Sequence, residues 1–340
     1  MPPHSRLPNP AQLRSKARFG GPFSLRVAQG LQQLARRTRP RRSAAPSLVV
    51  RLGDGRVIAV EEYGDPAGLP VLYFHGWPAS RLEAGLIADL PVRLLALDRP
   101  GYGRSTPQPG RTLMDWPVDV AAVADRLGLR QFHVVGLSGG GPYAAACALA
   151  LPDRVLGVAL VCPVPPPHGV HPRAPGVGHL FRLGRHPVLA HRLFSVLRPL
   201  LRRRIITPRT LVGDGLPAAD RACLTPALLA GLGLAWREGI GRSVQGALSD
   251  ASIYARDWGV PFGDIRVPVT VWYGSDDPMI PLHALAPLEA IPGMALRTVP
   301  NEGHYSLAIR HAGAILRDLT GVRPPAGEGA PADRASTASV

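Results

Sequence analysis

One serine in the sequence is surrounded by glycines. The segment Gly136-Leu137-Ser138-Gly139-Gly140 follows the apolar run FHVV at residues 132–135. A strand that turns sharply into a helix strains the backbone at such a serine, and bulky neighbours would clash there. The first amides of the following helix would face any negative charge that develops nearby. The pattern therefore suits a serine that attacks a carbonyl group, although small residues of this kind also make plain tight turns.

Two later segments supply the residue types that activate a serine. Asp276 and Asp277 follow the apolar run VTVWY, and His304 comes soon after the run LRTV. Histidine can remove a hydroxyl proton near neutral pH, and a carboxylate then fixes the imidazole tautomer and stabilises the imidazolium. Either aspartate could hold the histidine, or both could simply cap the next helix. The sequence therefore contains the three residue types that nucleophilic catalysis by serine requires.

Short apolar runs precede each of these residues and alternate with stretches that can be helical. LVVRL and VIAVEEY flank a Gly-Asp-Gly turn at residues 53–55, which predicts an antiparallel hairpin at a sheet edge. Six further strand-like runs occupy residues 71–74, 92–97, 132–135, 155–161, 269–273 and 296–299. Potential helices occupy residues 80–90, 112–128, 139–151 and 283–291. This alternation predicts an α/β fold: a mostly parallel eight-stranded sheet with helices on both faces.

Polar segments follow five of the parallel runs. In an open parallel sheet, ligands bind outside the carboxyl ends of the strands, so these segments should meet at one edge. They are residues 75–78, 98–105, 136–140, 274–278 and 301–306. We expect His75 and the 98–105 loop to brace this edge rather than to react.

The alternation is interrupted once, which predicts the domain organisation. Residues 163–266 lack strand-like runs and contain two helical stretches, HPVLAHRLFSVLRPLLRRR and DRACLTPALLAGLGLAWREGI. We interpret them as a helical cap inserted into a core formed by residues 47–162 and 267–320. Residues 321–340 are rich in proline, alanine and polar residues, which predicts a disordered tail. The candidates for an apolar cap lining, any of which could instead belong to the core, are Phe181, Phe194, Leu197, Leu228, Trp236 and Tyr254.

Much of the positive charge lies at the N-terminus. The net charge is +15, and residues 1–46 contain nine arginines, Lys16 and no acidic residue. We expect a basic, disordered extension that makes at most weak contact with an anionic surface and no specific contact with nucleic acid. Its composition also resembles an organellar transit peptide, and part of it could form a membrane-surface helix. The oligomeric state is left open.

The cysteines and histidines do not predict a metal site. Cys147, Cys162 and Cys223 have neither zinc-ligand spacing nor the number for a disulfide framework, which favours a reducing, cytoplasmic location. Histidines cluster at positions 168, 171, 179, 186 and 191, but they form no compact ligand set and have no neighbouring carboxylates. We therefore predict no metal and no cofactor.

Five segments together resemble the α/β-hydrolase fold family: HGWP, DRPGYGRS, GLSGG, GSDDPMIP and GHY, in that order, within about residues 47–320. The resemblance implies Ser138 as nucleophile, Asp277 as the acid and His304 as the base, with Asp276 as the competing acid. It also implies an oxyanion hole formed by the backbone amides of Trp77 and Gly139, with the Trp77 side chain lining the substrate pocket.

This resemblance implies a serine hydrolase. Family members that open epoxides or cleave carbon–halogen bonds use an aspartate nucleophile, which Ser138 argues against. We expect hydrolysis of a carboxylic ester or related acyl substrate through an acyl-enzyme. The alternatives are a cofactor-free perhydrolase, a carbon–carbon bond hydrolase and a non-catalytic ligand-binding member of the fold.

Overall fold

The strands form one sheet whose order places the predicted site segments side by side. A computed structural model describes residues 46–87, 91–168, 170, 176–203 and 215–322. Within these residues, eight strands pair in the order β1-β2-β4-β3-β5-β6-β7-β8; β1 pairs with β2 and β2 with β4 in antiparallel fashion, and all later pairs are parallel. The strands are β1 Leu48–Arg51, β2 Val57–Gly64, β3 Leu69–Phe74, β4 Val92–Leu97, β5 Phe132–Leu137, β6 Val155–Val161, β7 Val269–Gly274 and β8 Ala295–Val299. The predicted hairpin and mostly parallel sheet are confirmed.

Alternating side chains of each central strand enter two different cores. On β3, Leu72 and Phe74 belong to one apolar cluster, whereas Val71 and Tyr73 belong to another. Successive strand residues point to opposite faces, and both faces of this sheet are covered, so the strand is apolar throughout. The packing of both faces fixes the strand register, because a slip of one residue would exchange the two sets of side chains.

Helices from different parts of the chain cover these two faces. Outside the segment between β6 and β7, the described helices are α1 Trp116–Arg126, α2 Gly141–Ala150, α8 His304–Arg310 and α9 Ala312–Thr320. Helices α1 and α2 contribute to the cluster that contains Phe74, and α8 and α9 to the cluster that contains Tyr73. The two C-terminal helices were not predicted, although residue 304 begins the first of them.

Between β6 and β7 the described chain is helical. It forms α3 Val177–Arg185, α4 Pro187–Arg202, α5 Ala218–Cys223, α6 Pro226–Gly241 and α7 Gln245–Tyr254. The stretch 220–240, predicted as one helical run, is two helices. Thr225 caps α6 by accepting a hydrogen bond from the Leu228 amide, and Pro226 fits the first turn of a helix but not the interior. Local chain chemistry therefore ends one helix and begins the next.

Two further predictions need adjustment. The segment Leu282–Ala290 is a 3₁₀ helix that contains Pro287, and Arg81–Leu86 is a second 3₁₀ segment. A proline inside an α-helix removes one backbone donor and clashes with the preceding turn, which explains the tighter geometry near Pro287. The predicted terminal extensions, residues 1–46 and 321–340, lie outside the described residues except for 46, 321 and 322.

Helix length also bears on membrane insertion. The longest described helices, α4 and α6, have 16 residues each, fewer than the roughly 20 apolar residues that span a bilayer. No helix in the described part of the chain is long and apolar enough to cross a membrane.

Candidate active site

Ser138 occupies a strained turn between β5 and α2. Its φ is +50°, in the left-handed region that costs a non-glycine residue about 1–2 kcal/mol. The surroundings hold it there, since the Val164 amide donates to the Ser138 carbonyl oxygen at 2.9 Å. A Cβ atom at Gly140 would overlap the carbonyl oxygen of Phe74, so only glycine allows this close approach. The glycines thus let the turn pack tightly against β3.

The structure separates the two candidate aspartates. The Asp277 Oδ2 atom lies 2.7 Å from Nδ1 of His304, and its Oδ1 atom accepts hydrogen bonds from the amides of Met279 and Ile280. Asp276 is exposed and accepts a hydrogen bond from the neighbouring Ser275 hydroxyl. Only Asp277 is therefore placed to orient the imidazole of His304. With Nδ1 donating to the carboxylate, Nε2 is the nitrogen left to accept a proton.

Asp277 and His304 shift each other's pKa. Burial disfavours the imidazolium, but the charge and hydrogen bond of Asp277 outweigh burial and raise the pKa of His304. Burial likewise disfavours the carboxylate, but His304 and the amides of Met279 and Ile280 lower the pKa of Asp277. The pair is thus arranged to stabilise a proton on the histidine beside an ionised aspartate.

Ser138 and His304 line the same cavity. Its volume is about 70 Å³, and most of its wall is apolar, with side chains from the sheet, from α9 and from α6. Among them are Tyr73, Leu94, Val135, Ile315, Leu316 and Trp236. The only lining carboxyl in the described chain is that of Glu83. A small apolar cavity with a few convergent polar groups is the usual form of a small-molecule site.

Most of the candidates for the cap lining do not line this cavity. Of the six candidates, the cavity contacts Trp236 alone. Phe181 and Tyr254 are buried in the main core, and Phe194 packs edge-to-face against Trp77. Most of these bulky apolar side chains therefore pack against other residues of the protein. Helices α8 and α9 supply much of the cavity wall instead.

The backbones of Trp77 and Gly139 lie against each other beside the serine. A Cβ atom at position 139 would lie 3.0 Å from the Trp77 nitrogen. No acceptor among the described residues takes a hydrogen bond from that Trp77 amide. The Trp77 side chain lines the cavity and donates from Nε1 to the carbonyl oxygen of Ala247. The predicted oxyanion-hole segments are thus adjacent.

A buried polar network supports this loop. The His75 ring is fully buried, its Nδ1 lies 2.9 Å from the Gly76 carbonyl oxygen, and Arg99 donates to the His75 carbonyl oxygen. Arg99 also pairs with Asp250 of α7. The Tyr254 hydroxyl donates to the Gly139 carbonyl oxygen at 2.6 Å. These contacts connect the loop, the serine turn and the inserted helices.

Sequence reasoning missed two acidic residues at the site. Glu83 lines the cavity, and Asp220 of α5 accepts hydrogen bonds from three amides at the start of α8. Glu83 is the only acidic residue between Asp65 and Asp89, and it follows shortly after the HGWP segment. Its isolation among mostly apolar residues was a signal that the sequence offered. The partners of Asp220 are more than 80 residues away in the chain, and no local pattern reveals them.

Cys162, Asp277 and His304 offer donor atoms within 4.8 Å of one another. Their chemistry does not suit a metal. Burial first, and then the nearby Asp277 carboxylate, raise the pKa of the Cys162 thiol, which disfavours the thiolate that binds metals. Both Asp277 oxygens already accept hydrogen bonds from protein groups. The cluster is better explained by the His–Asp pair.

Comparison with known proteins agrees with the fold. A family model described as the alpha/beta hydrolase fold matches residues 70–181. Together with this match, the sheet and its covering helices give the chain the α/β-hydrolase fold. An esterase from Exiguobacterium antarcticum shares its fold, with a TM-score of 0.60 and 19% identity over 80% of this chain and 98% of the esterase.

Two curated proteins resemble part of the chain. A non-heme chloroperoxidase from Streptomyces lividans is 37% identical over 123 residues, 34% of this chain and 45% of the relative. A bifunctional esterase/perhydrolase from Acinetobacter calcoaceticus is 38% identical over 120 residues, 33% of this chain and 43% of the relative. The matched segment thus spans less than half the length of either relative.

Proposed function

We propose that this protein is a serine hydrolase that cleaves a carboxylic ester or related acyl substrate through an acyl-enzyme. The observation that carries the proposal is the 2.7 Å contact between His304 and Asp277 at a cavity that His304 shares with Ser138. A histidine oriented by a carboxylate beside a serine at a strained turn is the arrangement that nucleophilic catalysis requires.

The reaction begins with the Ser138 hydroxyl. Nε2 of His304 takes its proton as Oγ attacks the substrate carbonyl carbon, and the amides of Trp77 and Gly139 donate hydrogen bonds to the resulting oxyanion. The bond to the leaving group breaks, and His304 returns the proton to that group. Water then attacks the acyl-enzyme by the same route, which releases the acid and restores the Ser138 hydroxyl.

The inserted helices act as a cap that closes the cavity. Trp236 of α6 lines the cavity. Leu232 and Ala235 of the same helix form an apolar cluster with Ala79, and the partly buried Tyr305 packs against this cluster. This position fits a cap formed by residues 163–266 over a core of residues 47–162 and 267–320.

A weak contact of residues 1–46 with anionic surfaces and a cytoplasmic location stay predictions.

Perhydrolysis is a second candidate, favoured by the esterase/perhydrolase named among the relatives. It uses the same acyl-enzyme. Hydrogen peroxide replaces water as the nucleophile and attacks the acyl carbon while His304 takes one of its protons. The bond from that carbon to Oγ of Ser138 then breaks, His304 returns the proton to Oγ, and the peracid is released. Peracid formation measured beside acid release, with acyl ester and peroxide both supplied, tests this activity directly.

A fluorophosphonate probe that reacts with activated serines tests the main proposal. The wild-type protein should be labelled and should cleave p-nitrophenyl esters of short acyl chains, and Ser138→Ala should lose both. Ser195→Ala is the control, because Ser195 is an exposed residue of α4 whose hydroxyl donates to the His191 carbonyl oxygen, away from the cavity. Full labelling of Ser138→Ala would remove Ser138 from the mechanism.

A further inference from the structure

Glu83 places a carboxyl group inside the candidate active site. It lies in the 3₁₀ segment Arg81–Leu86, and its side chain lines the cavity together with Ser138 and His304. The residue is only 7% exposed. The proposed hydrolysis uses His304, Asp277 and backbone amides, so it leaves this buried carboxyl without a task.

The two oxygens of Glu83 have different surroundings. Oε2 accepts hydrogen bonds from the Gly76 amide at 2.7 Å and from the Tyr73 hydroxyl at 3.0 Å. Oε1 accepts none from the described residues. A Cβ atom built on Gly76 would lie 3.2 Å from Oε1 and 3.6 Å from Cβ of Ser138, so the free oxygen and the serine flank the same point of the loop.

This arrangement fixes one oxygen and leaves the other without a donor from the described residues. Burial raises the pKa of the Glu83 carboxyl, and the Gly76 amide and Tyr73 hydroxyl oppose that effect. An apolar substrate that covers Oε1 would remove this oxygen from solvent without giving it a donor, which costs free energy. A substrate that brings a donor to Oε1 avoids that cost.

We propose that Glu83 determines specificity: its Oε1 accepts a hydrogen bond from a hydroxyl, amide N–H or ammonium group that the acyl substrate carries near its scissile carbonyl. This inference rests on the proposed hydrolase function and names its substrate class. Oε2 keeps the loop before Trp77 in place, so Glu83 combines loop support with recognition.

Matched p-nitrophenyl esters test the proposal. Each pair has the same leaving group and differs only in a hydroxyl or a methyl at carbon 2, 3 or 4 of the acyl chain. We expect the wild-type kcat/KM to favour the hydroxyl member of at least one pair by about tenfold or more, the usual effect of a hydrogen bond to a charged group. A wild-type preference for the methyl member of every pair would overturn the inference.

Glu83→Gln separates recognition from loop support. Its amide oxygen can still accept from Gly76 and Tyr73, while its NH₂ group replaces Oε1 and turns an acceptor into a donor. The preference for hydroxyl esters over methyl esters should disappear, and esters with a keto group at that carbon should gain in kcat/KM relative to the methyl esters.

Asp119→Asn is the matched control. Asp119 is a buried carboxylate that pairs with Arg56 away from the cavity. This variant should keep the wild-type selectivity. If esters are cleaved in a Ser138-dependent way and Glu83→Gln keeps the wild-type preference, the specificity role is refuted and the hydrolase proposal stands. If neither member of any pair is cleaved and the serine probe does not label Ser138, both proposals fall.

Discussion

The carboxylate of Asp220 accepts a hydrogen bond from the backbone amide of His304 at 3.1 Å. The same carboxylate also accepts from the amides of Tyr305 and Ser306. Helix α8 begins at His304, so one side chain of an inserted helix satisfies the free donors at the start of the helix that carries the proposed base. Gly303 makes room for it, because a Cβ atom there would lie 2.5 Å from the Asp220 carboxyl carbon.

Asp220→Ala should weaken catalysis more than binding. It leaves three backbone amides, two of them in buried residues, without their acceptor. The loss is expected to cost about 1–3 kcal/mol of unfolding free energy and to loosen the position of His304. We expect kcat to fall about 10- to 100-fold with little change in KM, because small displacements of a catalytic group have effects of that size. Steady-state kinetics and urea unfolding measure the two effects.

The pH profile distinguishes a positioning role from simple destabilisation. Burial lowers the pKa of His304, whereas Asp277 and, to a smaller extent, Asp220 raise it. Loss of Asp220 should therefore move the acid limb of kcat/KM to lower pH. Thr225→Ala, which removes the cap of α6, should cost about 1 kcal/mol and leave the limb in place. An unmoved limb in Asp220→Ala would count against the positioning role.

The acid limb of the wild-type protein should lie above pH 6.5, the ordinary pKa of histidine. The base must be neutral to take the Ser138 proton, and the net effect of burial and the Asp277 carboxylate is to keep the proton on His304 to higher pH. Activity is therefore lost as the pH falls through the raised value. Asp277→Asn should shift the limb of kcat/KM downward and reduce the plateau by about 10⁴-fold. An unchanged limb in this variant would show that Asp277 does not control the base.

The sequence predicted the strands and the order of the site segments well, because both depend on local patterns. Buried parallel strands leave continuous apolar runs, and the serine turn needs its glycines next to it. The family resemblance favoured Asp277 over Asp276 but left both open, since their difference is that one side chain points inward to His304 and the other to solvent. Glu83 and Asp220 were missed because their roles depend on contacts made only after folding.

Ser138→Gly should stabilise the fold relative to Ser138→Ala. The backbone at this position has φ +50°, which glycine adopts freely and alanine does not. We expect a difference of about 1 kcal/mol in unfolding free energy, with both variants inactive. Ala146→Gly, in the interior of α2, should show the opposite sign and lose about 1 kcal/mol. Equal stability of the two Ser138 variants would mean that the turn carries no strain.

Asp250 should be the most sensitive carboxylate of the described fold. It is fully buried on α7, and Arg99, Arg111, Tyr102 and Tyr143 all donate to it. Asp250→Asn removes the negative charge that pairs with the guanidinium groups of both Arg99 and Arg111. Breaking a buried ion pair from one side typically costs about 3–5 kcal/mol, because the partner charge stays buried without compensation. Urea unfolding at pH 7 measures this loss.

The pH dependence of stability offers a second measurement on Asp250. Burial opposes its ionisation, but Arg99 and Arg111 outweigh burial and lower the pKa of Asp250. A lowered folded-state pKa gives stability that is present above the ordinary value of 3.8 and is lost as the pH falls through the folded value. The wild-type protein should therefore lose stability below about pH 4 more steeply than Asp250→Asn. Asp318→Asn, at a partly exposed pair with Arg297, should cost less than about 1 kcal/mol. A comparably small loss in Asp250→Asn would mean that the buried network does not depend on this charge.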